Sequence, residues 1–179
     1  DLSRLNNIMR DLISQLSNPR VFNYKIYLAN DDIKNVYTIG GKIVFYKGML
    51  DFCKSDSEIA ALISHEIAHN ELGHSILALK KAKASSKFGI FGELALIFED
   101  ATSASFNQKE EAQADMFGLD LLIPLNYKEC ASIDLLKRIS DNENELNLVD
   151  NLFRSHPYSI NRIKCLENHL NNNYNKKCN

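Results

Sequence analysis

The segment with the strongest chemical character is His65-Glu66-Ile67-Ala68-His69, an H-E-x-x-H motif. Residues four apart share one face of a helix, so both imidazoles can reach a single metal ion. Glu66 follows the first histidine and can approach a water on that ion without binding the ion itself. Zinc lowers the pKa of such a water to about 7, and a carboxylate can take its proton as the water attacks a carbonyl. The motif therefore predicts zinc-dependent hydrolysis.

The motif fixes only three positions, and such a string also occurs on ordinary helix surfaces. Two neighbouring features favour the metal site. The surrounding segment is apolar, so the three polar side chains would be costly to bury without a partner. Gly73 lies inside the same predicted helix, where glycine costs about 1 kcal/mol relative to alanine, which indicates a close backbone approach.

The third ligand is not expected from the same helix. The pattern H-E-x-x-H-x-x-G-x-x-H would need Gly and His where the chain has Leu72 and Ser75. Gly73 and His74 are out of that register, and His74 is expected to project away from the ligand face. We therefore predict a structural or surface role for His74, and the same for His169.

Glu111 is the preferred third ligand, 42 residues after His69. It lies in Glu110-Glu111-Ala112-Gln113-Ala114-Asp115, where Glu111 and Asp115 are again four apart on one helix face. One carboxylate can therefore bind metal while the other orients a ligand imidazole. The alternative is an acidic, solvent-facing helix start. That alternative suits Glu110 but not Asp115, whose neighbours are apolar.

A set of helices and a small sheet must position these residues. Apolar spacings of three and four predict helices over 1–17, 58–81, 108–123, 130–139 and 160–170. Strands are predicted over 24–28, 36–39 and 42–46, the last two joined by a Gly40-Gly41 turn. Ser55 and Glu58 form a capping-box signature at the start of the motif helix. The tail 171–179 is predicted to fray.

The segment 82–107 contains the apolar stretch Phe88–Phe98, interrupted by Gly89, Gly92 and Glu93. It is predicted to be a short helix or a mobile loop. A lid helix that packs on the core is favoured for the apolar stretch, and contact with a membrane surface is the alternative.

Length and charge limit the class of protein. The 179 residues carry a formal net charge of −2, and no linker divides them, so 1–179 is read as one domain. This near-neutral balance argues against nucleic-acid binding. No apolar run reaches the roughly 20 residues that span a bilayer.

The four cysteines are Cys53, Cys130, Cys165 and Cys178, and none forms a C-x-x-C pair. A cysteine zinc site and a thioredoxin-like motif are therefore not expected. The even count permits two disulfides, and Cys165 with Cys178 would close a short C-terminal loop. Four free thiols in a reducing compartment are equally compatible with this spacing.

Four motifs in order make the chain resemble a family of zinc peptidases. They are N-V-Y-T-I-G-G-K-I-V-F-Y-K-G-M-L (35–50), S-E-I-A-A-L-I-S-H-E-I-A-H (57–69), E-A-Q-A-D-M-F-G-L (111–119) and S-H-P-Y-S-I-N-R (155–162). The family comprises HtpX, CAAX prenyl protease, Oma and BepA-like peptidases, metallopeptidase family forty-eight. The resemblance implies an α+β, zincin-like (minimal gluzincin) fold, mainly helical with a small sheet.

By this resemblance the zinc ligands are His65, His69 and Glu111, with one Zn²⁺ per chain. Glu66 is then the catalytic base, and Asp115 is the carboxylate that orients a ligand. The chain is similar to the Oma- and BepA-like catalytic cores rather than to the relatives with spanning helices.

The element Ser155-His156-Pro157 with Arg162 is similar to the family's S-x-H-P-x-x-x-x-R element. A loop histidine before a helix-starting proline is the simplest alternative for His156. We favour a pocket role, in which His156 hydrogen-bonds the oxyanion or occupies the open zinc position and holds the enzyme inactive. Arg162 is either an active-site cation or a structural partner of a carboxylate such as Asp115, and the structural role is favoured.

The hairpin before the motif helix is a candidate for substrate alignment. An unpaired strand edge can fix an extended peptide by ladder hydrogen bonds. The candidate residues are Lys42, Ile43, Val44 and Phe45, with an ordinary core hairpin as the alternative.

These observations predict a zinc metalloendopeptidase that cleaves unfolded or misassembled polypeptides. The resemblance implies an extracytoplasmic location, such as a bacterial periplasm, and a role in protein quality control. Two alternatives stay open. One is a non-catalytic chaperone or binding module that keeps zinc for structure, and the other is a latent peptidase whose cleft is covered by 82–107 or by the His156 loop.

Overall fold

A computed structural model describes residues 1–85, 106–141, 156–157 and 160–178. The strands are β1 Lys25–Ala29, β2 Val36–Ile39 and β3 Lys42–Tyr46, and the helices are α1 Leu2–Ile13, α2 Lys47–Phe52, α3 Asp56–Glu71, α4 His74–Ser85, α5 Gln108–Leu122, α6 Ala131–Asp141 and α7 Ile160–Tyr174. The prediction of a mainly helical α+β fold with a small sheet is confirmed. The apolar stretch Phe88–Phe98 and residue Ser155 lie outside the described residues. No helix in the described ranges is long and apolar enough to cross a membrane.

The sheet has the order β1-β3-β2, with β3 parallel to β1 and antiparallel to β2. Gly40 and Gly41 form the predicted turn at φ of +54° and +83°. The prediction that β3 presents a free edge at Lys42–Phe45 is wrong, because β3 pairs on both sides and Ile43 and Phe45 are fully buried. The hairpin was visible in the sequence, but the parallel pairing of β1 from a distant segment was not. In the described sheet, β2 is the edge strand that packs along α3.

Helix α3 carries the H-E-x-x-H motif and begins at the predicted cap. The Ser55 side chain accepts a hydrogen bond from the Glu58 backbone N–H. The Glu58 carboxylate does not return to Ser55 as a capping box would require. It accepts instead from the Lys54 backbone N–H at 2.7 Å and pairs with Arg138 of α6, which ties the two helices together.

Helix α3 ends earlier than predicted. The expected helix to about Lys81 is two helices, because Gly73 adopts φ of +84° between α3 and α4. Glycine reaches this left-handed region without strain and commonly ends helices in this way. Arg20 Nε donates to the Glu71 carbonyl at 2.6 Å and satisfies one of the free carbonyls at this helix end. The chain therefore turns sharply directly after the motif.

Helix α5 crosses α3 at close range and carries the Glu111–Asp115 pair. Asn107 and Glu110 form a capping box that fixes its start. A Cβ on Gly118 would lie 3.0 Å from Ser64 Oγ and 3.1 Å from the backbone nitrogen of His65. Only glycine allows this approach, which brings the acidic face of α5 onto the histidine face of α3.

The C-terminal segment is ordered where it was predicted to fray. Helix α7 continues to Tyr174, and a disulfide joins Cys178 to Cys130 at the start of α6. The suggested Cys165–Cys178 pair and the suggested set of four free thiols are both wrong, because Cys53 and Cys165 are the free cysteines. Sequence spacing ranked the nearest pair first, whereas the docking of α7 beside α6 brings a distant cysteine to Cys178.

Removing this disulfide is expected to destabilise the domain. Replacing Cys130 and Cys178 with Ala should lower the free energy of unfolding by about 2–4 kcal/mol, because the bridge closes a loop with a sequence separation of 48. Urea denaturation measures the change. Cys165→Ala is the control, since Cys165 is free. Equal stability of the double variant and the parent would contradict the prediction.

Candidate metal centre

Four buried side chains bring their donor atoms together between α3, α5 and the segment before α7. They are His65, His69, Glu111 and His156, and one donor atom from each lies within 4.8 Å of all the others. His65 Nε2 lies 3.0 Å from His69 Nε2 and 3.2 Å from His156 Nδ1. Glu111 Oε1 lies 3.3 Å from His69 Nε2 and 3.2 Å from His156 Nδ1.

These four separations are short enough for one shared metal ion. Zinc–nitrogen bonds of about 2.0–2.1 Å imply ligand-to-ligand distances of about 3.3 Å in a tetrahedron. Two to three imidazoles with one carboxylate are also a typical zinc donor set. The predicted ligands His65, His69 and Glu111 are therefore brought together by the fold, and His156 stands where a fourth ligand would be.

Asp115 and Arg162 support the ligands from behind. Asp115 Oδ1 lies 2.9 Å from His65 Nδ1, the ring nitrogen that points away from the cluster. Arg162 donates to both oxygens of Asp115 at 2.7 Å and lies 2.7 Å from Glu111 Oε2. One buried cation thus contacts two buried carboxylates, and this arrangement holds both side chains in place.

The charges of this cluster set its protonation. Burial alone would raise the pKa of Asp115, but the Arg162 charge and hydrogen bonds lower that pKa to about 2. Burial would lower the pKa of His65, but hydrogen bonds with Asp115 and Glu111 raise that pKa to about 10 in the metal-free chain. Arg162 and the histidines hold the pKa of Glu111 well below its usual range despite its burial. Both carboxylates are therefore ionised at neutral pH.

Glu66 is buried beside this cluster. It is fully inaccessible, and neither carboxylate oxygen has a hydrogen-bond partner among the described residues. Oε1 lies 3.3 Å from His156 Nε2, and burial raises the pKa of the carboxyl group. A buried, unsatisfied carboxylate is costly, so its place points to a partner outside the protein, such as a water or a substrate.

His74 is buried against His69, so of the two predicted roles, structural or surface, the structure supports the structural one, whereas the expected projection away from the ligand histidines is wrong. Its Nδ1 lies 3.1 Å from His69 Nδ1, and Phe106 stacks on the His69 ring with centroids 3.8 Å apart. The reason is the helix break at Gly73, which redirects the chain and returns His74 toward His69. A glycine read as a helix end, instead of as a helix interior, would have indicated this.

Asn70 was not singled out from the sequence, although it connects the motif helix to the sheet. Its amide donates to Thr38 Oγ1 at 2.7 Å and its carbonyl accepts from the Gly41 backbone N–H and from Ser75 Oγ. The residue is fully buried and follows His69 directly. It therefore sets the distance between β2 and the metal centre. A polar residue on the apolar side of a buried helix was the available signal.

The chain resembles known peptidases in sequence. The profile of the family described as Peptidase family M48 matches residues 2–170. The chain is 26% identical over 157 residues to the mitochondrial metalloendopeptidase OMA1 of Schizosaccharomyces pombe. This alignment covers 82% of this chain and 47% of that protein. It is 27% identical over 180 residues to the metalloprotease LoiP of Escherichia coli, in an alignment that covers 93% of this chain and 69% of LoiP. It is 21% identical over 168 residues to the beta-barrel assembly-enhancing protease of Yersinia pestis, in an alignment that covers 83% of this chain and 35% of that protein. The chain thus spans between about a third and about two thirds of the length of these three relatives.

Proposed function

Since the chain belongs to peptidase family M48, we propose that it is a zinc-dependent endopeptidase that hydrolyses peptide bonds in proteins. The observation that carries this proposal is the buried Glu66 carboxylate, which has no hydrogen-bond partner among the described residues and lies beside a cluster of four metal donors. A purely structural metal site would have no use for such a group. We further propose that residues 1–179 form one zincin-like peptidase domain.

Each residue of the site has a defined task in this proposal. His65, His69 and Glu111 would hold one zinc ion, which supplies a Lewis acid and lowers the pKa of water. Glu66 takes a proton from the attacking water and delivers it to the leaving amine. Asp115 fixes the orientation of His65, and Arg162 keeps Asp115 and Glu111 ionised and aligned.

Strand β2 is better suited than β3 to align the substrate. It is the edge of the described sheet next to α3, and Val36 at its start lines a pocket together with His65 and Glu66. An extended peptide can add to this edge through backbone hydrogen bonds. Lys42–Phe45 would then contribute indirectly, as the strand that holds β2.

Removal of the metal tests the proposal. We expect about one zinc per chain by elemental analysis and cleavage of casein by the zinc-loaded protein. Chelation by 1,10-phenanthroline should abolish cleavage, and one equivalent of zinc should restore it. Cleavage at an unchanged rate by metal-free protein would contradict the proposal.

His156 favours a latent form of the enzyme. Its Nδ1 lies 3.2 Å from both His65 Nε2 and Glu111 Oε1, where an open coordination position is needed for catalysis. A fourth protein ligand closes the site, as in structural zinc centres. We therefore infer that the His156 segment must move before a substrate can bind.

Truncating His156 should release this restraint. His156→Ala is expected to raise kcat for casein several-fold, because a larger fraction of the molecules is then competent. Zinc content should stay near one per chain, since three ligands remain. The opposite result, a large fall in kcat, would favour the other role considered for His156, hydrogen bonding to the oxyanion.

The disulfide and the names of two relatives bear on the biological setting. A disulfide at Cys130–Cys178 suits an oxidising compartment outside the cytoplasm, such as a periplasm. Two relatives are named a metalloprotease of Escherichia coli and a beta-barrel assembly-enhancing protease. We propose unfolded or misassembled polypeptides as substrates and protein quality control as the role.

A further inference from the structure

A small apolar pocket adjoins the metal centre between α3 and α6. Its walls are formed by Ala61 and Leu62 of α3 and by Ser132, Leu135, Leu136 and Ile139 of α6. The four residues of α6 follow the spacing of one helix face. The charged residues that line the pocket all belong to the metal centre described above. The pocket is therefore polar at one end, beside Glu66, and apolar along its length.

The size of the pocket limits what can enter it. Its volume is about 50 Å³, roughly four times the 10–15 Å³ that a single water needs. Three or four carbon atoms fit this space, as in the side chains of valine, leucine or isoleucine. Water gains little there, because Leu135 and Ile139 are buried and offer no hydrogen bond.

We propose that this pocket binds the side chain of the substrate residue adjacent to the cleaved bond and selects a mid-sized aliphatic group. The inference rests on the proposed peptidase function and adds the chemical class that the site prefers. Ser132 and Leu136 set the depth and width of the pocket, and a charged side chain would lose its hydration on entry.

Peptide hydroxamates test the pocket without requiring turnover. The probes are N-acetyl-amino-acid hydroxamates with leucine, alanine, phenylalanine or aspartate side chains, and acetohydroxamate has no side chain at all. Calorimetry with the zinc-loaded protein is expected to show the leucine compound binding at least about tenfold tighter than the alanine and aspartate compounds.

Two substitutions at the wall should move this preference in opposite directions. Ser132→Leu fills the pocket and should reduce the preference for leucine over alanine about tenfold, whereas Leu136→Ala should improve binding of the phenylalanine compound. Ser140→Leu is the matched control, since it makes the same change on α6 at a residue that does not line the pocket.

The outcomes separate the two proposals. Equal affinity for all side chains, or equal effects of Ser132→Leu and Ser140→Leu, would overturn the proposed role of the pocket. The proposed peptidase function would not be affected. Failure of acetohydroxamate to bind zinc-loaded His156→Ala, in which the fourth position is open, would contradict the metal site itself, and the pocket with it. Acetohydroxamate also shows that each variant is folded.

A separate observation concerns His74, which contacts a metal ligand from the side away from the metal. Its Nδ1 lies 3.1 Å from His69 Nδ1, so one of the two nitrogens must carry the hydrogen. His69 Nε2 faces the other donors of the cluster, 3.0 Å from His65 Nε2, so a neutral His69 that binds metal through Nε2 carries its hydrogen on Nδ1. His69 Nδ1 is then the donor.

We infer that His74 is a positioning residue that fixes the tautomer of His69 and leaves its Nε2 lone pair directed at the metal. A metal-bound histidine generally donates its second N–H to such a partner. Asp115 takes this place for His65, and His74 takes it for His69.

Zinc affinity and NMR test this role. His74→Leu should weaken zinc binding about 10–100-fold in a chelator competition. His74→Asn should retain most of the affinity, because the Asn Oδ1 can accept in place of Nδ1. Nitrogen-15 shifts of His69 should report Nδ1 protonation in the parent and in His74→Asn. His169→Leu, which makes the same change on a different helix, α7, is the control. Unchanged affinity in His74→Leu, or equal losses in the Leu and Asn variants, would overturn the inference.

Discussion

Glu66→Gln is expected to lower kcat for casein cleavage about a thousandfold while zinc binding persists. Glutamine has nearly the same shape but cannot take the proton of the attacking water. Glu66 is not among the four residues that could hold the ion, so the metal should stay in place. Steady-state kinetics and elemental analysis of the same preparations measure both quantities.

A matched control lies on the same helix. Glu71→Gln makes the same chemical change at the end of α3, where Glu71 accepts hydrogen bonds from Arg20 and Tyr24 and does not face the cluster. Its activity should stay close to that of the parent. Full activity in Glu66→Gln would show that the cleavage does not depend on this carboxylate and would contradict its role as the catalytic base.

Arg162→Met is expected to lower the free energy of unfolding by about 3–5 kcal/mol. Arg162 is the buried cation between Asp115 and Glu111, and its loss removes the guanidinium that both buried carboxylates contact. Most of this loss in stability comes from the buried carboxylate charge that loses its partner, since a buried ion pair itself adds little net stability. Urea denaturation at neutral pH measures the change.

Two further variants make this result specific. Arg4→Met removes an exposed pair with Asp56 and should cost less than about 1 kcal/mol. Adding Asp115→Asn to Arg162→Met should recover part of the lost stability, because one of the two carboxylates is then neutral. A loss in Arg162→Met no larger than that in Arg4→Met would contradict the prediction.

The chemistry of the site was more accessible from the sequence than its geometry. A helical spacing of four determines which side chains share a face, so the His65–His69 and Glu111–Asp115 pairs could be predicted from local rules. The side chain that balances the two acids comes from Arg162, 47 residues beyond Asp115. No local spacing indicates whether such a residue faces a carboxylate or the solvent, and only the packing of α7 decides it.

The errors have two physical causes. The first is a single backbone conformation. Gly73 adopts a left-handed conformation that ends α3 and turns His74 back toward His69. The second is pairing between distant segments. The parallel β1 strand makes β3 central, and the docked tail brings Cys178 to Cys130. Sequence patterns report the local preference of a segment, whereas these outcomes depend on where another segment packs.

The position of Arg162 in the chain has a consequence for the order of synthesis. A ribosome releases the complete H-E-x-x-H helix long before it releases α7, because 91 residues separate His65 from His156. Until α7 docks, Glu111 and Asp115 lack their buried cation, and closing the site across this sequence distance is a late folding event. A nascent chain thus carries Glu66 before the cluster of buried donors around it has assembled.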